Sequence, residues 1–92
     1  MAFVPQSPDR VRIDKYLWSI RVFKSRSMAS DACNGGKVKI DGVSCKPSRE
    51  IKTGEVITIK MNGIERIFKV IALLDKRVAA PLVPEFCTDL TP

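Results

Sequence analysis

The chain has no histidine and only three cysteines, and these two shortages exclude most catalytic and metal-binding chemistry. Without histidine there is no ordinary general base near neutral pH and no imidazole ligand for a metal. The cysteines, Cys33, Cys45 and Cys87, form no Cys-x-x-Cys pair, so a zinc site is not expected. Reduced structural thiols in a cytoplasmic protein fit this usage better. The sequence therefore predicts neither an enzyme, nor a metal site, nor a cofactor.

Long hydrophobic runs are missing as well. The longest uninterrupted apolar run, Val70 to Leu74, is far shorter than the roughly 20 residues that a membrane-spanning helix needs. The N-terminus has neither the basic region nor the apolar stretch of a secretory signal. We therefore expect no membrane partner. A cytoplasmic monomer is the simplest expectation for one small domain.

Acidic residues are scarce in one half of the chain, and that half carries the net charge. Between Arg10 and Lys52, eleven Lys or Arg oppose four Asp or Glu, which gives +7; the other residues carry five against six, which gives −1 and restores the total of +6. A concentrated positive surface attracts polyanions and speeds their encounter with the protein. This distribution favours a nucleic-acid partner.

The spacing of apolar residues in the first half predicts two consecutive helices. An amphipathic helix is expected over residues 13–22, because apolar residues recur there at helical spacing as Ile13, Leu17 and Ile20. A second helix begins at a candidate N-cap, Ser25, and ends at Gly35. Its buried face is expected to consist of Met28, Ala29, Ala32 and Cys33.

Beyond the second helix the pattern changes to that of strands. Residues 37–40 alternate polar and apolar side chains, so Lys37 and Lys39 leave by the same face. Turn signals separate this strand from three more, expected at Val43–Cys45, Val56–Ile59 and Ile64–Leu73. The sequence thus predicts an α+β fold, in which a two-helix hairpin packs on a small, mostly antiparallel sheet.

Three segments are expected along the chain. Residues 1–11 contain two prolines and no periodicity, which predicts a flexible leader; residues 12–74 form the domain, and residues 75–92 a proline-containing tail. The tail could pack back onto the domain or stay a flexible peptide that orders on a partner, and the sequence leaves both open. We expect Trp18 to be covered by this tail rather than to stack on a base.

Basic residues around the second helix form the candidate binding site. Lys24 and Arg26 lie at the start of this helix, where cations oppose its dipole, so an external phosphate explains them better than local stability. Lys37 and Lys39 converge from the next strand, which favours binding over the alternative of solvated surface charges.

Four polar residues are candidates for supporting roles at this site. Ser25 and Ser27 could bond phosphate oxygens, although capping the helix explains Ser25 equally well. Asp14 and Asp31 are interpreted as residues that orient nearby arginines. The sequence offers no pair of nucleophile and base, so binding rather than catalysis is predicted.

Four stretches of the chain resemble the S4 RNA-binding domain, a family named after a ribosomal small-subunit protein. They are Arg12-Ile13-Asp14-Lys15-Tyr16-Leu17-Trp18, Lys24-Ser25-Arg26-Ser27-Met28-Ala29, Gly36-Lys37-Val38-Lys39-Ile40-Asp41-Gly42 and Lys46-Pro47-Ser48. The first and last stretches look most like the bacterial fifteen-kilodalton heat-shock protein family. The resemblance runs from Arg12 to about Lys60, some 49 of 92 residues.

The resemblance implies a fold, a partner and a set of site residues. The fold is the helix hairpin on a small sheet, and the partner is structured rRNA of the free large ribosomal subunit, with tRNA as a further candidate. The implied role is the rescue or recycling of subunits that still hold a peptidyl-tRNA. A similar small protein acts in ribosome quality control, and the motifs do not separate the two. The implied RNA-binding residues are Arg12, Asp14, Lys15, Lys24, Ser25, Arg26, Ser27, Asp31, Lys37 and Lys39.

After Leu73 the chain departs from the heat-shock pattern. Members of that family carry a basic helical extension, whereas this tail contains prolines and is nearly neutral, so either the chain is shortened or the second contact surface is absent. Two other functions stay open. One is a targeting module of a larger RNA-modifying enzyme, against which the length argues. The other is a protein-interaction domain that uses the apolar tail.

Overall fold

A computed structural model describes residues 10–74 and 76–91 of the protein. The helices are α1 (Ile13–Ser19), α2 (Arg26–Asn34) and a 3₁₀ helix (Ala80–Glu85). The strands are β1 (Val11–Arg12), β2 (Val38–Ile40), β3 (Val43–Ser44), β4 (Glu50–Ile51), β5 (Val56–Met61), β6 (Ile64–Val70) and β7 (Cys87–Asp89). The predicted α+β class, with two helices on an antiparallel sheet, is confirmed.

The main sheet has five strands in the order β3-β2-β5-β6-β7, and every pair is antiparallel. Because successive strand residues face opposite sides, one face of the sheet is apolar and joins the helices in a single buried core. Its fully or nearly buried members are Val38, Ile40, Ile57, Ile59, Phe68 and Val70. The opposite face carries Lys39 and Lys60 and is open to solvent. A separate two-stranded sheet pairs β1 with β4.

Helix α1 ends three residues before the predicted end, because the chain reverses at Arg21, whose φ is 65°. The N–H of Val22 donates to the Leu17 carbonyl at 3.0 Å and the N–H of Arg21 to the Trp18 carbonyl at 3.1 Å. This pair of hydrogen bonds is the Schellman arrangement, which usually has glycine at the reversal. Arg21 is held there by its own side chain, since Nε donates to the Val78 carbonyl at 2.7 Å.

The start of α1 is capped by the link between β3 and β4. The N-cap residue of α1 supplies no side-chain bond. Instead, the N–H of Ile13 donates to the Arg49 carbonyl at 2.8 Å, and the N–H of Asp14 to the Pro47 carbonyl at 3.4 Å. These are two of the N–H groups that the first turn of a helix leaves without an internal partner. The Lys-Pro-Ser link therefore fixes the end of the helix that carries Asp14.

One expectation about burial is wrong. Met28 was placed on the buried face of α2, but it is 49% exposed. The helix turns Ala29, Ala32 and Cys33 inward, and Met28 is rotated by about 100° from Ala29 at 3.6 residues per turn. The buried stripe is thus narrower than predicted and consists of small side chains. Val11, assigned to the leader, is buried in β1 opposite Ile51; residues 1–9 lie outside the described ranges.

The C-terminal segment packs back onto the domain, which is one of the two arrangements that the sequence left open. Strand β7 pairs with β6, so the sheet continues past the boundary suggested at residue 74. The Tyr16 hydroxyl, on α1, donates to the Phe86 carbonyl at 2.8 Å. The Arg77 guanidinium lies over the Trp18 ring, 5.8 Å from its centre, as expected for an indole covered by this segment. The part of the chain that the structure describes contains no helix long and apolar enough to cross a membrane.

Candidate nucleic-acid interface

A buried carboxylate, Asp14, holds two arginines at the surface. Its side chain is only 5% exposed; Oδ2 accepts a hydrogen bond from Arg12 Nη2 at 2.9 Å, and Oδ1 lies 3.6 Å from Arg26 Nη2. The side chains of Arg12 and Arg26 are 49% and 45% exposed. Each guanidinium has five N–H donors in a planar fork, so both keep donors for an outside ligand. We call Arg12 and Arg26 the arginine pair.

Three elements of the fold bring this group together. Arg12 ends β1, Asp14 lies in the first turn of α1, and Arg26 begins α2. A carboxylate in a first turn is stabilised by the helix dipole, and Asp14 Oδ1 also accepts the N–H of Lys15 at 2.7 Å. Because Asp14 is buried, it can orient the arginines but not offer its carboxylate to a large ligand. The interpretation of Asp14 as an orienting residue agrees with this geometry.

The loop before α2 places three more of the candidate residues. Ser25 is the N-cap, and its Oγ accepts the N–H of Met28 at 3.2 Å, so the capping interpretation is confirmed. Lys24 and Ser27 are exposed on either side of this cap. Cations at a helix start are not stabilised by the helix itself. Their exposure leaves Lys24 and the Ser27 hydroxyl open to a ligand that approaches the arginine pair.

The reversal of the chain at the C-terminal end of α2 determines where the backbone of Lys37 and Lys39 lies. The N–H of Lys37 donates to the Ala32 carbonyl at 2.9 Å, once the chain has reversed at Gly36 with a φ of 72°. Two residues later, Lys39 projects from the same face of β2, and both lysines are exposed. Asp31 is exposed on α2 and borders a shallow depression together with Lys37. It therefore lies on the side of the lysines, and no arginine pairs with it among the described residues. The interpretation of Asp31 as a residue that orients an arginine is not supported by this geometry.

The structure adds one lysine that sequence reasoning missed. The N–H of Lys60 donates to the Lys37 carbonyl at 2.9 Å, which makes the two residues neighbours across β2 and β5. With Lys39 they line an open hollow of about 390 Å³, which we call the lysine hollow. Its other lining residues are Gly35, Gly36, Thr58, Asn62 and Glu65. The alternation of Thr58 and Lys60 with apolar residues indicates that the two side chains share a polar face of their strand. Only the register of β5 against β2 shows that this face lies beside Lys37 and Lys39.

The candidate residues thus form two groups, one at each end of α2. The arginine pair lies at its start and the lysine hollow just after its end. Nine helical residues span about 13 Å at 1.5 Å per residue. Both groups carry exposed cations on rigid elements. The arrangement is suited to binding an extended polyanion rather than a small molecule.

Arg49 differs from these cations because a carboxylate neutralises it. Its two terminal nitrogens lie 3.0 and 2.8 Å from the two carboxylate oxygens of Glu55. The hydrogen bonds from Arg49, joined by one from the Lys52 N–H, hold the pKa of Glu55 below its usual value. The pKa of Arg49 is raised by the same pair. Arg49 therefore stabilises the link that caps α1 and is not part of the candidate interface.

The cysteines have the character of packing residues. Burial raises the pKa of Cys33 to about 12, and it also raises the pKa of Cys45 and of Cys87. Thiols with raised pKa values stay protonated near neutral pH and are poor nucleophiles and ligands. Within residues 10–74 and 76–91, no group of three or more acidic or cysteine side chains is arranged to hold a metal ion.

Comparison with known proteins connects this geometry to one family. Residues 11–57 match the S4 domain. The heat shock protein 15 homologue of Aeromonas salmonicida is 36% identical over 77 residues, which cover 84% of this chain and 58% of the relative. The RQC P-site tRNA stabilizing factor of Helicobacter pylori strain J99 is 48% identical over 56 residues, which cover 60% of this chain and 67% of the relative.

A solved structure extends the similarity to the whole fold. The trimeric heat shock protein 15 of Vibrio cholerae superimposes with a TM-score of 0.83 at 33% identity, over 88% of this chain and 82% of the other. The chain spans only about half to three fifths of the length of the curated heat shock protein 15 relatives. The match to the S4 domain, residues 11–57, takes in half of the chain and contains both helices, β2 and every candidate basic residue except Lys60. This protein therefore belongs to the S4 domain family.

Proposed function

We propose that this protein binds structured rRNA on the free large ribosomal subunit and acts by binding, not by catalysis. The observation that carries the proposal is the arginine pair held by the buried Asp14. The planar guanidinium of arginine can donate two parallel hydrogen bonds to the oxygens of a phosphate. A guanidinium that is already oriented loses less conformational entropy when it binds. RNA helices are recognised mainly by shape and backbone contacts, which such a site supplies.

The candidate residues have different roles in this proposal. Asp14 and Ser25 position the surface rather than contact RNA, because the first is buried and the second caps α2. Asp31 is exposed and acidic, and the proposal gives it no contact with RNA. Affinity comes mostly from phosphate contacts, and the shape of the surface gives selectivity. The residues proposed to contact RNA directly are Arg12, Lys15, Lys24, Arg26, Ser27, Lys37 and Lys39.

The comparisons support the ribosome as the partner. The chain is similar to proteins named heat shock protein 15, and the family that it resembles acts on large subunits that still hold a peptidyl-tRNA. We infer the same role here, in the rescue or recycling of stalled subunits. The proposed site of action is the cytoplasm, and the proposed active form is a monomer.

A second candidate function has its own support. The relative from Helicobacter pylori is named an RQC P-site tRNA stabilizing factor and is 48% identical over the matched region. In this alternative the protein acts in ribosome quality control and contacts tRNA as well as rRNA. The two functions share the S4 domain surface, and tRNA contact is an option in the first but a requirement in the second.

Cosedimentation with purified 30S, 50S and 70S particles across a salt series tests the proposal. We expect preferential binding to 50S, which weakens with a log–log salt slope of about −3 to −6, as several phosphate contacts require. Adding a P-site tRNA to the 50S particles tests the second candidate, because tRNA contact predicts a large gain in affinity and an unchanged affinity would refute that candidate. Equal, weak binding to all three particles would refute a specific ribosomal role.

A charge-reversal variant tests the surface. Arg26→Glu with Lys37→Glu lowers the net charge from +6 to +2 and is expected to abolish 50S binding. The matched control, Lys69→Glu with Lys76→Glu, makes the same charge change at exposed residues outside the site and is expected to retain most of the affinity. Circular dichroism and a thermal melt check that both variants fold. Unchanged binding by the folded first variant would contradict the proposed surface.

A further inference from the structure

The lysine hollow holds more positive charge than its own structure can balance. Three lysines and one glutamate line it. The strand register sets Lys60 opposite Glu65, yet among the described residues no carboxylate lies within 4.0 Å of the Lys37, Lys39 or Lys60 ammonium groups. Like charges on neighbouring strands destabilise a sheet. An external anion bound in the hollow would offset this repulsion, which explains why three lysines lie together there.

The backbone around the hollow fixes its shape. The helix reversal at Gly36 sets one wall. The Asn62–Gly63 turn, with φ values of 52° and 78°, sets the other by ending β5 just after Lys60. Both walls are held by hydrogen bonds to neighbouring elements, including Lys37 N–H to Ala32 and Lys60 N–H to Lys37. The volume of about 390 Å³ exceeds ten times the roughly 30 Å³ share of one water molecule, so a phosphate group with its water fits.

We infer that the lysine hollow seats a backbone phosphate of the bound RNA, and that Lys60, on β5, is a further RNA-binding residue. This inference rests on the proposed function and extends its surface from the helices across the sheet. Its position favours RNA over a free phosphate ion, because Lys37 lines the hollow and directly follows the end of α2, the helix that begins at the arginine pair. An RNA strand that leaves the arginine pair reaches the hollow after about 13 Å, the length of α2.

The chain offers a matched pair of lysines to test this. Lys60 and Lys69 are both exposed and project from the same face of the sheet. Lys69 lies on β6, four residues along from the position opposite Lys60, or about 13 Å away at the usual rise of a strand. Replacing either lysine by glutamine removes one charge, keeps a polar end and shortens the side chain by one atom, and it does so equally at both positions.

The measurement is the affinity for a short RNA hairpin with a fluorescein label, followed by anisotropy across a potassium chloride series. Lys60→Gln is expected to weaken binding by about three- to tenfold and to reduce the log–log slope by about 0.7 to 0.9, the value of one phosphate contact. Lys69→Gln is expected to leave the slope unchanged. Arg26→Gln, in the arginine pair, serves as the reference for loss of a contact in the proposed site.

Each outcome decides a different question. If Arg26→Gln lowers the slope while Lys60→Gln behaves like Lys69→Gln, the hollow is not a phosphate site, although the proposed function stands. If the folded wild-type protein binds neither the hairpin nor the 50S particles, both ideas fail. A parallel NMR titration keeps the test independent of any variant: the amide signals of Lys37, Lys39 and Lys60 should shift with RNA and that of Lys69 should not. Shifts confined to α1 and α2 would also overturn the inference.

Discussion

The arginine pair and the lysine hollow carry similar charge but are built in opposite ways. Arg12 and Arg26 share one buried carboxylate, so part of their charge is balanced and their direction is set. The lysines of the hollow have no such partner within the described residues, and only the backbone fixes where they begin. The first group is oriented before a ligand arrives, whereas the second is a concentrated but flexible charge.

This difference indicates that the basic groups at the two ends of α2 contribute to RNA binding in different ways. An oriented guanidinium gives directional hydrogen bonds and loses little entropy on binding, whereas an ammonium on a flexible stem acts as a point charge. Long-range attraction depends on total charge, and register depends on oriented donors. We therefore expect the lysine hollow to govern the salt dependence and the arginine pair to govern selectivity.

The substitution Asp14→Asn is the strongest test of whether orientation distinguishes the arginine pair from the lysine hollow. It raises the net charge from +6 to +7, so an account based on charge alone predicts tighter RNA binding. We expect the opposite, a loss of about tenfold in 50S affinity, because the amide keeps one acceptor oxygen, turns an N–H₂ donor toward the other guanidinium and lacks the negative charge that orients both arginines. The lost charge-assisted hydrogen bonds should also lower the free energy of unfolding by about 1–3 kcal/mol, measured by urea denaturation.

Asp31→Asn is the matched control for this prediction. It makes the same charge change at an exposed residue that lies on the lysine side of α2. Its 50S affinity is expected to stay equal or to rise slightly, with unchanged stability. If the folded Asp14→Asn protein bound as tightly as Asp31→Asn, orientation by the buried carboxylate would be irrelevant and the two regions would be equivalent.

A smaller effect separates stability from binding. Tyr16→Phe removes the hydroxyl that donates to the Phe86 carbonyl at 2.8 Å but keeps the buried ring. The carbonyl still accepts the N–H groups of Ile71 and Ala72 at 2.9 and 3.0 Å, so no buried acceptor is left unpaired. We expect the free energy of unfolding to fall by about 1 kcal/mol, measured by urea denaturation, with no change in RNA affinity.

Tyr16→Phe separates stability from binding because it weakens the attachment of the C-terminal segment and leaves the arginine pair and the lysine hollow unchanged. A loss of RNA affinity in Tyr16→Phe as large as that in Asp14→Asn would mean that binding follows stability alone. The preorganisation attributed to the arginine pair would then have no support.

The smallest expected effect concerns Arg49, whose charge is balanced most completely. The Arg49 hydrogen bonds hold the pKa of Glu55 below its ordinary value of 4.5. A lowered folded-state pKa stabilises the protein above the unfolded-state value, and this contribution disappears as the pH falls through the folded-state value. Since Arg49 is partly exposed, we expect less than about 1 kcal/mol.

Comparing wild type with Glu55→Gln checks this prediction. The urea midpoints of the two proteins should differ at pH 7 and converge in acid, below the folded-state pKa of Glu55. A difference that persists at low pH would show that the glutamate acts through packing and not through its charge. RNA affinity at pH 7 should be the same for both proteins.

The sequence predicted those helices and strands in which the spacing of apolar and polar residues repeats over several positions. The stripe of α1, the cap at Ser25 and the alternation around Lys37 each repeat over several residues, and their elements were predicted within a few residues. Strands β1 and β4 have two residues each, too few for any period. Strand β7 follows a proline-containing segment, and its pairing with β6 depends on contacts that are distant in sequence.

The candidate site divides in the same way. All of its basic residues except Lys60 lie between Arg12 and Lys39, a short stretch of sequence in which local spacing indicates the elements that carry them. The partnership of Asp14 with both arginines needed the packing of α1 against α2, and Lys60 needed the register of β5 against β2. The end of α1 at Ser19 differs from the prediction, since the reversal that follows at Arg21 has no glycine to signal it.

The sequence by itself determined the charge of this protein, the absence of histidine, the two helices and the family that they resemble. These follow from composition and short-range spacing, which do not require any distant contact. Only the tertiary structure decided which cations are oriented and which are not, because burial of Asp14 and the strand register arise when distant segments meet. Local patterns specify elements, and the hydrophobic core that joins them specifies the site.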